Sequence, residues 1–156
     1  MTEAIGTPVL TGGCQCGKVR YALYGAPTST DICHCRMCQK AVGNLFMAVA
    51  GVPLSRFAWT RGEPAVFRSS SAAERGFCPD CGTPLTFRYL AKDAINVTLG
   101  SLDEPAKARP TMQHGIESRV PWWHELLDLP GLTTADDPPP GGLETLASHQ
   151  HRDGDP

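Results

Sequence analysis

The sequence predicts a single, mainly β domain of short antiparallel strands stapled by cysteine-bearing turns, and three observations predict it. Glycine and proline together account for 30 of 156 residues, too many for a helical bundle and well suited to strands joined by tight turns. Seven cysteines fall at positions 14, 16, 33, 35, 38, 78 and 81, grouped as metal ligands are grouped rather than spread as a disulfide framework. Short runs of alternating or apolar character recur between turn residues. A chain of this length is one ordinary domain.

The elements follow in order. Residues 19–24 alternate polar and apolar, as a half-buried strand does. Residues 36–42 are the one helical stretch, directly after the middle cysteine group. Residues 44–52 form an apolar run stopped by Pro53. Residues 57–60 lead into a turn at Gly62-Glu63-Pro64, and residues 65–68 follow it. Residues 83–89 and 95–99 complete the strands, and Pro121 introduces a helical turn over 122–127. Two packed sheets are expected. Residues 7–132 make the zinc-binding domain. Residues 133–156 hold the run Pro138-Pro139-Pro140-Gly141-Gly142 and no aromatic residue, so a disordered acidic tail is expected there, with one weak turn at 143–147 and with His149 and His151 solvated.

Charge and hydropathy exclude several function classes. The net charge is −2, with 14 lysines and arginines against 16 acids, so no basic face drives nucleic-acid binding. The acids concentrate in the tail, where Asp136, Asp137, Glu144, Asp153 and Asp155 face Arg152 alone. No apolar run approaches the ~20 residues of a membrane helix. The first ten residues lack the pattern of a secretory signal. With an odd cysteine count, this points to a reducing, cytoplasmic setting.

The cysteines carry the chemistry. Gly13-Cys14-Gln15-Cys16-Gly17 and Phe77-Cys78-Pro79-Asp80-Cys81-Gly82 are two zinc knuckles, cysteine pairs set among the small residues that a tight reversal around sulfur needs. Together they supply the four thiolates of a closed structural zinc site, which would clip together the ends of a 61-residue stretch. Cys33-His34-Cys35-Arg36-Met37-Cys38 places three more sulfurs within six residues. Three ligands on one loop leave a fourth position open, as in a catalytic zinc site. The helix start, Arg36 and Lys40 favour ionised thiols there, and His34 is expected to point away from the metal. Two alternatives stand beside this reading. Cys35 and Cys38 form a redox pair, or the loop is a second closed structural site with His34, His114 or another side chain as its fourth ligand.

The whole pattern resembles the glutathione-dependent formaldehyde-activating family, also called the centromere protein V domain. The resemblance covers about residues 10–132. It rests on the three cysteine groups together with His114, Glu117-Ser118-Arg119-Val120-Pro121-Trp122 and Leu129-Pro130. Where the family often carries an apolar residue after the histidine, Gly115 stands here. The resemblance implies a β-tent fold, a structural zinc on Cys14, Cys16, Cys78 and Cys81, and an active-site zinc on Cys33, Cys35 and Cys38. It implies carbon–sulfur lyase chemistry, with glutathione or a similar small thiol and an aldehyde as partners and S-hydroxymethylglutathione as the product from formaldehyde. Three thiolates make a zinc a weak Lewis acid that suits a soft thiolate better than a carbonyl oxygen, so thiol activation is the expected role. His114 is the candidate for proton transfer, and Arg36, Lys40 and Arg119 are candidates for contacting substrate carboxylates. The other function class carried forward is a zinc-stabilised binding module without turnover.

Overall fold

Strand-forming residues in this chain come in runs of three to seven between turns, and the computed structural model, which describes residues 6–154, folds them into ten strands, one α-helix and several 3-10 turns. The reading of the amino terminus over residues 1–5 lies outside the described residues, as does Asp155 in the tail. The strands are β1 (Leu10–Gly13), β2 (Arg20–Leu23), β3 (Ser29–Cys33), β4 (Met47–Pro53), β5 (Phe57–Arg61), β6 (Ala65–Arg68), β7 (Ala73–Phe77), β8 (Pro84–Tyr89), β9 (Ala94–Thr98) and β10 (Met112–His114). The helix, α1, is Arg36–Val42.

They build two open sheets. One is three-stranded in the order β1-β2-β5, and the other is seven-stranded in the order β10-β3-β4-β9-β8-β7-β6. All pairings are antiparallel except β10 against β3, which run parallel. This exception is reached by a long connection from β9, in keeping with the crossover that parallel strands need. The principal core lies between the sheets and contains Leu10, Val19, Tyr21, Leu23, Val52, Leu85, Ile95 and Val97. At its edge Tyr21 stacks on Phe57, and Trp59 meets both rings edge-on. The Tyr21 hydroxyl is satisfied by Ser101 at 2.8 Å, and burial pushes its pKa up.

A buried ion pair ties the small sheet to the segment after β9. Arg20 forks onto Asp103 with contacts of 2.8 and 2.6 Å, and Thr11 donates to the same carboxylate at 2.6 Å. A second, smaller cluster of Cys38, Met47 and Val49 lies under α1, with Phe87 against it. That cluster carries the middle cysteine group.

Among the described residues beyond 132 the chain forms no strand, and Leu143–Thr145 makes a single 3-10 turn. Its far end folds back. The His151 amide donates to the Gln15 carbonyl at 2.7 Å, and its half-buried ring occupies the space a side chain at Gly17 would fill. The sequence reading has His151 solvated; the structure sets it against the first knuckle, while His149 remains exposed.

Candidate metal centres and the adjoining cavity

Each knuckle is a short reversal that the sequence makes possible locally. After Cys78 the chain turns so that the Gly82 amide bonds the Cys78 carbonyl at 2.9 Å. Gly82 sits at φ +77°, a conformation that favours glycine. The two knuckles meet through Thr83, whose hydroxyl accepts from the Gln15 amide at 3.0 Å and lies 3.2 Å from the Cys81 sulfur. The sulfurs of Cys14, Cys16, Cys78 and Cys81 then all lie within 4.8 Å of one another. Cys14 and Cys16 are 3.5 Å apart, and Cys16 and Cys78 are 3.8 Å apart. A tetrahedron with zinc–sulfur bonds of about 2.3 Å has edges of ~3.8 Å, so this donor set fits zinc. All seven cysteines are free thiols. Burial pushes the Cys78 thiol up to about 12. Burial also works against ionising Cys81, but the Thr83 hydroxyl and backbone outweigh it and hold that thiol at about 6.

The second group is positioned by β3 and α1. Cys33 ends β3 and Cys38 lies in the first turn of α1. Cys35 caps the helix, its sulfur accepting the Cys38 amide at 3.4 Å. The sulfurs of Cys33, Cys35 and Cys38 converge within the same 4.8 Å limit, with no fourth His, Cys, Asp or Glu ligand joining them among the described residues. Three soft donors on one side of a metal fit zinc with a free position.

His34 points the other way. It is fully buried, bonds Gln113 at 3.0 Å and packs edge-on against Trp123 at 4.7 Å. Trp122 stays exposed. Gln39 fastens the loop from beneath, donating to the carbonyls of His34 at 2.7 Å and Ser118 at 3.1 Å. Gly115, at φ +61°, passes so close that a Cβ there would lie 2.8 Å from the Cys35 amide nitrogen. The position where the family often has an apolar residue is therefore closed to one here by backbone contact.

The electrostatics of this group depend on a residue the sequence reading did not single out. Arg75, on β7, is 5% exposed. Its guanidinium reaches the Cys38 sulfur at 3.4 Å and the Met47 sulfur at 3.1 Å, and lies 4.8 Å over the Phe87 ring. Burial pushes the Cys38 thiol up while Arg75 opposes it. Burial pushes Cys33 up to about 12. Cys35 is held below the usual thiol range because bonds from Cys38 and Cys33 outweigh its burial. Arg36 instead bonds its own helix neighbour Gln39.

The three sulfurs open onto a cavity of about 560 Å³ over the face of the large sheet. Met47, Val49, Phe87 and Tyr89 give it an apolar wall; Asp31, Arg75, Lys92, Asn96 and His114 give it polar groups. Arg36, Lys40 and Arg119 do not line it. His114 stands beside Cys33 in the β10–β3 register, 59% exposed, with its Nε2 3.7 Å from the Asp31 carboxylate. Asp31 is the partner that sequence reasoning missed. It is two residues before Cys33 on β3, so it projects to the same face, but the polar run Ser29-Thr30-Asp31 does not read as a strand in the sequence.

Comparison with known proteins decides the family. Residues 9–118 match the family model described as glutathione-dependent formaldehyde-activating enzyme. The chain belongs to that family. It is also 32% identical over 90 residues to an uncharacterized lyase of Schizosaccharomyces pombe, a match spanning 53% of this chain and 59% of that relative. The chain thus spans about three-fifths of that relative's length. A crystal structure of a Rhodobacter sphaeroides protein shares the fold with a TM-score of 0.53 at 21% identity, covering 66% of this chain and 98% of that one. No helix among the described residues is long and apolar enough to cross a membrane.

Proposed function

We propose that the protein is a zinc-dependent carbon–sulfur lyase-type enzyme that joins glutathione, or a similar small thiol, to an aldehyde, with formaldehyde giving S-hydroxymethylglutathione. Two zinc ions per chain are assigned, a structural one on Cys14, Cys16, Cys78 and Cys81 and an active-site one on Cys33, Cys35 and Cys38. Residues 7–132 form the working domain and residues 133–156 an appended tail. Seven free thiols suit a reducing compartment, and we place the protein in the cytoplasm.

The observation that carries this reading is the opening of the three-sulfur group, and of no other sulfur group among the described residues, onto the 560 Å³ cavity. That volume is ample for a small thiol together with a one-carbon carbonyl. Zinc held by the three cysteines would favour the ionised form of an incoming thiol. The chain's own residues supply the rest. His114, beside Asp31 at the cavity rim, accepts the thiol proton and returns it to the carbonyl oxygen. The S–H bond breaks, the S–C bond forms, and the carbonyl becomes a hydroxyl, with no oxidant or reductant required. Met47, Val49 and Phe87 keep water from the thiol.

The test is exchange NMR of formaldehyde with glutathione, with and without the zinc-loaded protein. Acceleration that disappears in Cys35→Ser and falls in His114→Gln supports the proposal. No acceleration excludes this thiol–aldehyde pair.

A further inference from the structure

Arg75 is an unusual investment for a small fold. Its guanidinium is buried, its two terminal nitrogens address sulfur rather than a carboxylate, and its Nε has no partner among the described residues. A buried cation without a carboxylate partner costs stability, and an apolar side chain of the same size would pack at least as well. The first centre is built differently. Its neighbouring cation, Lys18, is exposed and pairs with Asp80 at 2.9 Å. Four thiolates and a divalent ion leave that closed site with two negative charges. Three thiolates and a divalent ion leave one, and Arg75 cancels it.

We infer that Arg75 is the positioning residue that makes the three-cysteine centre receptive to an anionic sulfur ligand, by cancelling the centre's residual charge and fixing the Cys38 sulfur. This rests on the proposed reading of the site as a thiol-accepting metal centre. At an effective dielectric near 20, removing a unit charge about 6–12 Å from an incoming anion weakens its binding by about 10- to 100-fold. Phe87 lies 4.8 Å from the guanidinium, and this ring contact steadies the arm that reaches Cys38.

The experiment uses the full chain loaded with cobalt(II), whose sulfur-to-metal charge-transfer absorption reports each thiolate that binds. 2-Mercaptoethanol is titrated into wild type, Arg75→Met and Arg75→Lys, its proton passing to the buffer. The inference expects a thiol-dependent band in wild type, a half-saturation concentration about 10- to 100-fold higher in Arg75→Met, and recovery of most of the loss in Arg75→Lys. Should Arg75→Met lose the second cobalt altogether, Arg75→Lys decides. Retained metal and thiol binding support the inference, and a loss equal to that of Arg75→Met overturns it. An unchanged half-saturation in Arg75→Met also overturns it. A wild-type spectrum indifferent to the thiol overturns the reading of the site itself, independently of Arg75.

Discussion

Removing the Asp103 carboxylate will cost the fold more than any exposed ion pair could. In Asp103→Ala the Arg20 guanidinium, 6% exposed, loses both arms of its fork, and the Thr11 hydroxyl loses its acceptor. Breaking one side of a buried pair leaves a charge that neither water nor protein satisfies, and typically costs about 3–5 kcal/mol. Against a total stability of about 5–15 kcal/mol, that is a large share. For a domain of this size each kcal/mol moves Tm by about 2–4 °C, so a fall of roughly 6–20 °C is expected. Circular dichroism melts of the zinc-loaded protein measure it. The double variant Arg20→Met/Asp103→Ala should recover part of the loss, because no charge is then stranded. The pH dependence has a definite sign. Burial alone would raise the Asp103 carboxyl, but Arg20 and Thr11 outweigh it and hold the pKa below the usual range. The stabilisation is therefore complete above the unfolded value near 3.9 and is lost as pH falls through the lower folded value. The variant's stability should fall less steeply than wild type below about pH 4. A loss under about 1 kcal/mol, the magnitude of an exposed pair, would refute the reasoning.

Further outcomes follow from the two centres and the core. Cys35→Ser should lower bound zinc from two per chain to one with little change in Tm, whereas Cys78→Ser should abolish the cooperative melt; metal analysis beside calorimetry separates them. Gly115→Ala should perturb the three-cysteine loop, because its Cβ would press on the Cys35 backbone at a positive φ, and loss of the second zinc with the first retained is the readout. Leu85→Ala, at a fully buried core position, should cost about 2–5 kcal/mol in urea denaturation while leaving both zinc ions bound.

What the sequence made legible was whatever is local. Strands β2, β5, β8 and β9 carry β-branched or aromatic residues between turn residues, and their pattern shows. Strand β7 does not show, because Glu74, Arg75 and Gly76 leave no apolar or β-branched alternation; its inward position is occupied by a cation that reaches Cys38. Strand β1 is hidden by its two glycines, and β3 by Ser29, Thr30 and Asp31. Strand β10 is three exposed residues held by pairing with β3 and by bonds to His34. The same division runs through the site. The sulfur groups could be read from spacing because ligands on one turn must be close in sequence. Arg75 could not, since it reaches Cys38 on α1 from β7, 37 residues further along the chain. Nor could the Asp31–His114 pair, which exists only because β10 returns parallel to β3.

The seven sulfurs are also ordered in time. The second centre's donors have all left the ribosome once Cys38 emerges, but the first centre waits for Cys81, which is 43 residues later. At about 5–20 residues per second that delay is roughly 2–9 s. Throughout it, the nascent chain carries the three-cysteine group before the proposed four-cysteine clasp can close.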